Sequence, residues 1–418
     1  MTKRVLCVVL VVMFVVGATA FGRGAKDDAS VTKVEFWTFP DWGVGQEGET
    51  FRQFVAEFEQ KNPDIKVEFV PRPELEQAII TGAGSGILPD AFTVAFNQGD
   101  TFLRTGIVQD LAEWFNAMPA EFRNQFSEKW MSALSPDGKV YGLPFTAYAQ
   151  LLYRNLTVLE RAGVDASKPL RDWDDWIATM EKVNDIGLHS LSDMTQDGWF
   201  VMGFVGAAGG ANGAVNGRTT VGAAEIQKAL ELYERFKPFA LEVPTGDQAA
   251  VDLFTTNRLA YYVMGPWQNP AFLDAAKANP EFRYDYTLVP GARTGLHGGT
   301  NGGEWIGVTE SPRAEAAWKW AAFIADAPQA TRFALTGRTV LNSVAMADPE
   351  VQRNELNALT ARATGYGFAD AAYFTYWPLE ARVPFRDAAQ AVYGGRVGAA
   401  AAAQKAVADL NAVLARGR

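Results

Sequence analysis

The chain has 418 residues and carries 48 acidic against 38 basic side chains, a net charge of −10 at neutral pH that argues against nucleic acid or anionic lipid as a partner. This length exceeds what one hydrophobic core serves well, so two lobes are expected. Twelve tryptophans stand against only two histidines, so aromatic surface is plentiful while the commonest residue of acid–base and metal chemistry is scarce.

The chain begins with the pattern of a secretory signal peptide, predicted over residues 1–20. Lys3 and Arg4 precede an unbroken apolar run over 5–16, and small residues suited to cleavage follow it. The run is too short to span a bilayer. Residues 21–31 are expected to form a flexible leader. Cleavage removes two of the 38 basic residues and no acidic ones, which leaves 36 against 48 and a net charge of −12.

The only cysteine of the chain is Cys7, which lies inside this apolar run. Leu6 rather than a small residue precedes it, so it does not match the lipid-bearing cysteine of a bacterial lipoprotein. The mature chain then contains no cysteine, which excludes a disulfide, a thiolate nucleophile and a Cys-ligated metal. We therefore expect an exported, soluble protein of the periplasm without a lipid anchor.

After the leader, strand and helix patterns alternate. The stretch "VTKVEFWTF" predicts a strand, and apolar residues at Phe51, Phe54 and Phe58 predict a helix that ends near Asn62-Pro63. The stretch "IKVEFV" predicts the second strand of a β-α-β unit. Alternation of this kind predicts a mostly parallel sheet covered by helices, whose ligands gather beyond the carboxyl ends of the strands.

Later elements follow the same logic. "GKVYGLPFTAYAQLLYRN" contains two strand runs broken by Pro144, where we expect the chain to pass between lobes. Asp172, with a carboxylate three residues on, predicts a helix start, and another helix is predicted over 222–237. The glycine- and asparagine-rich stretch 206–222 is interpreted as an irregular surface loop. The Ala-rich segment 398–416 predicts a helical tail.

The sequence lacks clear motifs for metal, phosphate or nucleophilic chemistry. His189 and His297 are isolated, without a metal-binding spacing. "GAAGGANG" is not followed by the Gly-Lys-Ser/Thr of a phosphate loop, and "GAGSG" at 82–86 has the wrong spacing for a nucleophile elbow. We expect no catalytic residue, no metal and no cofactor. The many carboxylates nevertheless leave a glycosidase pair open at this stage.

The positive signal is a set of aromatic residues at turns and strand ends. Sugar rings have apolar C–H faces that stack on indoles, and hydroxyls that need carboxylates, amides and backbone groups. For Trp267, which follows Gly265-Pro266, the alternative interpretation is a lid on the core. The predicted ligand-binding residues are Trp37, Asp41, Trp42, Asn97, Tyr148, Trp199, Trp267, Glu304, Trp305 and Trp377.

Several distinctive stretches are spread over nearly the whole mature chain. Among them are "DGKVYGLPFTAYAQLLYRN", "FTTNRLAYYVMGPWQNPAF" and "EAAWKWAAFIADAPQATRFALTGRTVLNS". Together they resemble the bacterial extracellular solute-binding proteins of carbohydrate ABC importers, the family of maltose-binding protein. The resemblance implies a two-lobed α/β fold of the periplasmic-binding-protein type II class, each lobe a mostly parallel sheet flanked by helices, joined by a hinge. The implied lobes are 32–146 with 300–344, and 147–299 with 345–418.

The resemblance also implies positions for ligand contact. Asn97 stands where the family has a ligand-contacting aspartate. The chain departs from maltose-binding protein at Val94, where that protein has a tryptophan, and at Trp42, where it has a lysine, so the identity of the sugar stays open. The contact positions implied by the resemblance are Trp37, Asp41, Asn97, Tyr148, Trp199 and Trp267.

The function implied by the resemblance is that of a non-enzymatic, monomeric binding protein. It would capture a sugar or short oligosaccharide in the periplasm and present it to the transmembrane permease subunits of an ABC importer in the inner membrane. Two alternatives remain open from the sequence. One is a secreted carbohydrate-active enzyme, and the other is an ABC receptor for a polyol or glycerol-phosphate ligand.

Overall fold

The computed structural model describes most of the chain beyond the predicted signal peptide. That peptide, 1–20, and residues 21–30 of the predicted leader lie outside the described part. Within the described part, no helix combines the length and apolar character needed to cross a membrane. The described residues are 31–135, 138–210, 213–366, 368–369 and 378–416.

Within these described ranges, the strands form two main sheets and two small pairs. The first sheet has the order β14-β13-β3-β1-β2, with β4 also paired to β13, and the second has the order β10-β5-β11-β12. The small pairs are β6 with β9 and β7 with β8. In chain order the strands are β1 (Thr32–Thr38), β2 (Ile65–Pro71), β3 (Ala91–Ala95), β4 (Leu143–Ala149), β5 (Leu151–Asn155), β6 (Leu191–Asp193), β7 (Ala214–Val215), β8 (Arg218–Thr219), β9 (Ala240–Pro244), β10 (Tyr261–Met264), β11 (Tyr284–Pro290), β12 (His297–Gly298), β13 (Thr300–Val308) and β14 (Phe368–Ala369).

Helices cover both sheets, and short 3₁₀ turns lie at Pro40–Gly43, Phe96–Gln98, Lys237–Phe239 and Pro266–Gln268. In chain order the α-helices are α1 (Gly45–Lys61), α2 (Leu75–Ser85), α3 (Gly99–Arg104), α4 (Ala112–Ala117), α5 (Ala120–Arg123), α6 (Glu128–Ala133), α7 (Leu156–Arg161), α8 (Trp173–Asp185), α9 (Gly198–Ala207), α10 (Ala223–Phe236), α11 (Gln248–Thr255), α12 (Asn269–Ala278), α13 (Ala314–Ala325), α14 (Ala327–Ala334), α15 (Ser343–Met346), α16 (Pro349–Gln352), α17 (Glu355–Ala363), α18 (Pro378–Tyr393) and α19 (Ala399–Arg416).

The first β-α-β unit forms as its sequence pattern predicts. Strands β1 and β2 pair in parallel along their full lengths. Between them, α1 buries Phe51, Phe54 and Phe58, the apolar stripe at helical spacing. The helix ends at Lys61, just before Pro63, because a proline ring clashes with a preceding helical turn.

The two-lobed α/β architecture is confirmed, but the sheets are mixed rather than mostly parallel. In the first sheet β1 is parallel to β2 and β3, whereas β13 runs antiparallel to β3 and β4. In the second sheet β5 is antiparallel to both β10 and β11. The antiparallel pairs of the first sheet both involve β13, which enters directly from the second sheet after β12 rather than through a βαβ crossover within the same sheet.

The stretch 206–222 is more regular than its composition predicts. Its first two residues still belong to α9, and β7 and β8 form a small antiparallel hairpin. The hairpin turns at Asn216 and Gly217, whose φ angles are 52° and 69°. Both are positive, as a two-residue turn of the Asn-Gly type requires. The loop prediction was therefore wrong for 214–219, where the Asn216-Gly217 pair is a local signal for a hairpin turn.

Buried apolar side chains form separate cores, and each core draws on distant parts of the sequence. One core takes its residues from 148–289 and 356–414. The others take theirs from 34–145 and 305–351. Ala345 and Val351 pack in the second group, although the predicted boundary assigns residues from 345 onward to the other lobe. The exact lobe boundaries stay a prediction.

The chain passes between the two sheets at Gln150, between β4 and β5, and at Gly299, between β12 and β13. The two passages lie side by side, since the Gln150 N–H donates to the Thr300 carbonyl at 2.9 Å. The Gln150 side chain is buried; its Nε2 donates to the Trp199 carbonyl and its Oε1 accepts from the Thr300 N–H, both at 3.0 Å. We call Gln150, Thr300 and the Trp199 backbone the hinge cluster.

Gly299 is required by this close packing. Its φ is 114°, and a Cβ atom there would lie 2.9 Å from the Gln150 carbonyl oxygen. Gly295, by contrast, has a φ of 84°, and a Cβ atom there would meet nothing within 4 Å. Comparing substitutions at Gly299 and Gly295 therefore separates the loss of stability caused by an unfavourable φ from the loss caused by crowding.

We expect Gly299→Ala to lower the free energy of unfolding by about 2–4 kcal/mol, because positive-φ strain of about 1–3 kcal/mol adds to the steric contact. Gly295→Ala should show only the strain component and therefore a smaller loss. Urea denaturation of both variants and the wild type measures the difference. Equal losses for the two variants would contradict the crowding argument at the hinge cluster.

Candidate functional site

A cavity of about 500 Å³ lies between the two sheets, next to the hinge cluster. Its walls come from both cores, since β4 and β13 contribute from the first sheet and α9 and β10 from the other side. A site of this size suits a small ligand. The lining residues are Phe39, Asp41, Trp42, Ala95, Asn97, Tyr148, Asp197, Trp199, Phe200, Thr245, Gly246, Met264, Trp267, Glu304, Arg338 and Arg382.

Three aromatic rings in mutual contact form one wall of the cavity, which we call the aromatic wall: Tyr148, Trp199 and Trp267. The ring centroids of Tyr148 and Trp267 are 5.4 Å apart at an interplanar angle of 88°, and those of Trp199 and Trp267 are 5.7 Å apart at 39°. Tyr148 and Trp199 are 6.3 Å apart. Each ring is thus held by the other two, with Trp267 the most exposed.

The position of Trp267 follows from the strand and the turn before it. Strand β10 is buried and pairs with β5, and Pro266 begins a 3₁₀ turn directly after it. The ring folds back over Gly265, where a Cβ atom would lie only 2.0 Å from it. The Gly265 carbonyl in turn accepts a hydrogen bond from the Tyr153 hydroxyl at 3.2 Å. Trp267 is therefore a cavity residue packed on a rigid base.

Trp199 is fixed at the first turn of α9. Asp197 caps this helix, and its carboxylate accepts a hydrogen bond from the Trp199 N–H at 2.8 Å. The Trp199 carbonyl belongs to the hinge cluster and also accepts from the Thr300 hydroxyl at 2.5 Å. Asp197 lines the cavity itself and lies 3.6 Å from an Arg382 nitrogen. The backbone of Trp199 is thus hydrogen-bonded to both passages of the chain, and this fixes where its ring begins.

Arg338 lies on the opposite side of the cavity and pairs with two acids. The Arg338 Nη2 donates to Asp41 at 2.6 Å and to Glu47 at 2.7 Å, while its Nε donates to Glu47 at 3.2 Å. Burial acts to lower the pKa of Arg338, but Glu47 and Asp41 outweigh it, so the pKa lies above its ordinary value. Arg338 is thus a permanent cation.

Glu304 lies on β13 and lines the cavity with 9% of its surface exposed. Burial raises the pKa of this carboxyl to about 8, against the attraction of Arg338. The nearby carboxylates Asp41, Glu47 and Glu76 raise the pKa further by repulsion.

Seven of the ten predicted ligand-binding residues line the cavity. Among them, Asn97 has a buried Oδ1 with no hydrogen-bond partner in the described part of the chain, which leaves an acceptor for a ligand. Trp377 lies outside the described residues, so its assignment stays a prediction. The seven are Asp41, Trp42, Asn97, Tyr148, Trp199, Trp267 and Glu304.

Trp42, although at the cavity wall, is a core residue. It is 0% exposed, and its ring stacks on Phe51 at 5.7 Å and 14° and contacts Phe145 and Phe333 at 5.4 Å. It has no surface to offer a ligand in this structure. Its assignment as a contact residue is therefore corrected to one of support beneath the cavity.

Trp305 and Trp37 do not line the cavity, so the structure does not support their assignment as ligand contacts. Successive side chains of a strand point to opposite faces, so Glu304 facing the cavity directs Trp305 into the core, where it is 0% exposed. Trp37 is 3% exposed; the Arg72 guanidinium covers its ring at 3.9 Å, and its indole N–H donates to Glu35 at 2.5 Å.

The sequence analysis missed Asp197, Arg338 and Arg382. Asp197 had a local signal, because an Asp two residues before a helical Trp fits an N-cap. Arg338 had none, since its partner Asp41 lies 297 residues away in the chain. The described residues also contain no group of three or more His, Cys, Asp or Glu side chains that could hold a metal ion.

Comparisons with known proteins agree with this geometry. The family model described as bacterial extracellular solute-binding protein matches residues 42–331. A maltodextrin-binding protein of Bacillus subtilis is 26% identical over 74% of this chain and 75% of that protein. These matches come from the sequence alone.

Two solved structures share the fold. The GacH receptor of Streptomyces glaucescens, solved unliganded and with acarbose, has a TM-score of 0.77 and 17% identity over 92% of this chain and 99% of that one. A maltotriose-binding protein of Thermus thermophilus, bound with maltotriose, has a TM-score of 0.70 and 19% identity over 91% and 99%. With the family model spanning more than half of its length, the chain belongs to the bacterial extracellular solute-binding protein family.

Proposed function

We propose that this protein is the substrate-binding component of an ABC importer, which captures a sugar or short oligosaccharide between its lobes and delivers it to a permease. The observation that carries the proposal is the pairing of an aromatic wall with buried polar groups across one cavity. Tyr148, Trp199 and Trp267 present ring surface, while Asn97 offers a buried oxygen with no hydrogen-bond partner in the described structure and Glu304 a buried carboxyl. A sugar matches both, through its C–H faces and its hydroxyls.

The relatives support a carbohydrate ligand. One is named for binding maltodextrin and another for binding galactooligosaccharide, and structural neighbours were solved with acarbose and maltotriose. The charges of the cavity favour a neutral ligand over a glycerol phosphate. Arg338 pairs with Asp41 and Glu47, and Arg382 lies beside Asp197, so both cavity-lining arginines are already compensated.

The mechanism we propose is a shift of population toward a closed state. A ligand that touches both walls gains contacts from both lobes only when the lobes approach each other, so binding favours closure. The permease would then recognise the closed shape. A monomer, exported by cleavage after residue 20 and free in the periplasm, meets these needs, and no step of the mechanism requires catalysis.

A thermal-shift screen of residues 21–418 tests the function. The probes are maltose, maltotriose, raffinose, glycerol 3-phosphate, glycerol and amino acids. A ligand at about 100 times its Kd adds about 2.7 kcal/mol of stability, which is readily seen. We expect oligosaccharides to stabilise the protein and to be recovered unaltered by chromatography. Consumption of the sugar would establish an enzyme instead, and stabilisation by glycerol 3-phosphate alone would overturn the sugar assignment.

We expect Trp267→Ala to weaken binding of the stabilising oligosaccharide about 5- to 150-fold, because stacking on an aromatic ring is worth about 1–3 kcal/mol. Isothermal titration calorimetry measures the change. The matched control is Trp114→Ala, a partly buried tryptophan that packs on Trp318 and does not line the cavity. Unchanged affinity in Trp267→Ala would remove this residue from the site.

Gly265→Ala should act through the same ring. The added Cβ atom would lie 2.0 Å from Trp267, so the ring has to move out of the aromatic wall. We expect an affinity loss comparable with that of Trp267→Ala, and a double variant no worse than Trp267→Ala alone. Additive losses in the double-mutant cycle would show that Gly265 affects binding by another route.

A further inference from the structure

Glu304 differs from the other acids of the cavity. Asp41 is paired with Arg338, and Asp197 caps α9 beside Arg382. The Glu304 carboxyl, in contrast, makes no hydrogen bond and no ion pair with any described residue, although it is nine-tenths buried. Because Glu304 lines the cavity, a ligand there can supply the partner that the protein does not.

The charges around Glu304 do not favour a carboxylate. Arg338, whose charge acts on Glu304, already binds Asp41 and Glu47 through its guanidinium. Arg338, Asp41 and Glu47 together already carry a net charge of about −1, and an ionised Glu304 would increase it to about −2. The neutral acid avoids that added charge.

Acidic groups face Glu304 from three further elements. Asp41 lies in the 3₁₀ turn after β1, Glu47 in α1 and Glu76 in α2, and all three disfavour ionisation of Glu304. Arg338 acts in the opposite direction. Together with burial, these groups raise the pKa of Glu304 to about 8. The group is therefore mainly protonated at pH 7.

We propose that Glu304 recognises the ligand as a neutral carboxylic acid, whose O–H donates a hydrogen bond to a ligand oxygen. This inference rests on the proposed function. A neutral carboxyl both donates and accepts, and a sugar hydroxyl does the same, so the two groups complement each other. The aromatic wall then holds the ring faces of the same ligand. Ionisation of Glu304 removes the donor and weakens binding.

The pH dependence has a defined sign. Binding that requires the protonated form is fully present well below the pKa and is lost as pH rises through about 8. We expect the Kd of wild type for the best-bound of maltose, maltotriose and raffinose to increase about tenfold from pH 7 to pH 9, since a tenfold excess of the ionised form exists one unit above the pKa. Isothermal titration calorimetry at both values measures it.

Three variants separate the neutral acid from the carboxylate. Glu304→Gln keeps a donor and an acceptor without a charge, so it should bind within about threefold of wild type at pH 7 and equally well at pH 9. Glu304→Ala removes both and should lose about tenfold or more at pH 7. Glu310→Gln, an exposed change outside the cavity, should keep the wild-type pH dependence.

The outcomes distinguish this inference from the proposed function. If Glu304→Gln binds as weakly as Glu304→Ala at pH 7, the neutral donor does not suffice and the inference is wrong. If wild type binds equally at pH 7 and pH 9, binding does not depend on the protonation of Glu304, and the inference is again wrong. The sugar-binding function would stand in both cases. If no probe binds wild type or any variant at either pH, the proposed function fails and the inference with it. Thermal melts confirm folding of each variant.

Discussion

The hydrogen bonds of the hinge cluster join the two passages of the chain between the sheets to the backbone of α9. The Gln150 side chain donates to the Trp199 carbonyl and accepts from the Thr300 N–H, and the Thr300 hydroxyl donates to the same carbonyl. All are buried, where an unmade hydrogen bond costs about 1–3 kcal/mol. Because the Trp199 ring also lines the cavity, the groups that join the lobes set the geometry of the aromatic wall. The cavity wall and the hinge cluster therefore share a residue, Trp199.

Strand alternation decides which neighbours of a site residue belong to the site. Glu304 and Trp305 are adjacent on β13, yet one lines the cavity and the other packs in the core beside Phe92. In the turn after β1, Asp41 is half-exposed beside Arg338 while Trp42 is enclosed by phenylalanines. In both places the polar residue faces the cavity and its aromatic neighbour packs in the core. Residues that are adjacent in sequence therefore need not belong to the same site.

Much of the fold could be predicted from local patterns. The apolar stripe of α1, the Asp172 cap of α8 and the GPW turn after β10 are all properties of short segments. The directions of the strands could not be predicted in this way, because they depend on where the chain passes from one sheet to the other. The site divides in the same way, since Tyr148, Trp199 and Trp267 follow recognisable local signals. Arg338 and the isolation of Glu304 arise from contacts between distant parts of the chain.

The division of each core between distant stretches of sequence constrains the order of folding. The core of the first lobe, formed by two clusters, includes residues 34–145 and also 305–351, and the core of the other lobe is completed by Leu410 and Leu414 of the last described helix, α19. Neither core can be finished until more than 300 residues have left the ribosome, so the growing chain stays without a complete native lobe for most of its synthesis. Such contacts between distant residues also slow folding. The export proposed above requires a chain that is not yet compact when it crosses the membrane, and delayed folding supplies such a chain.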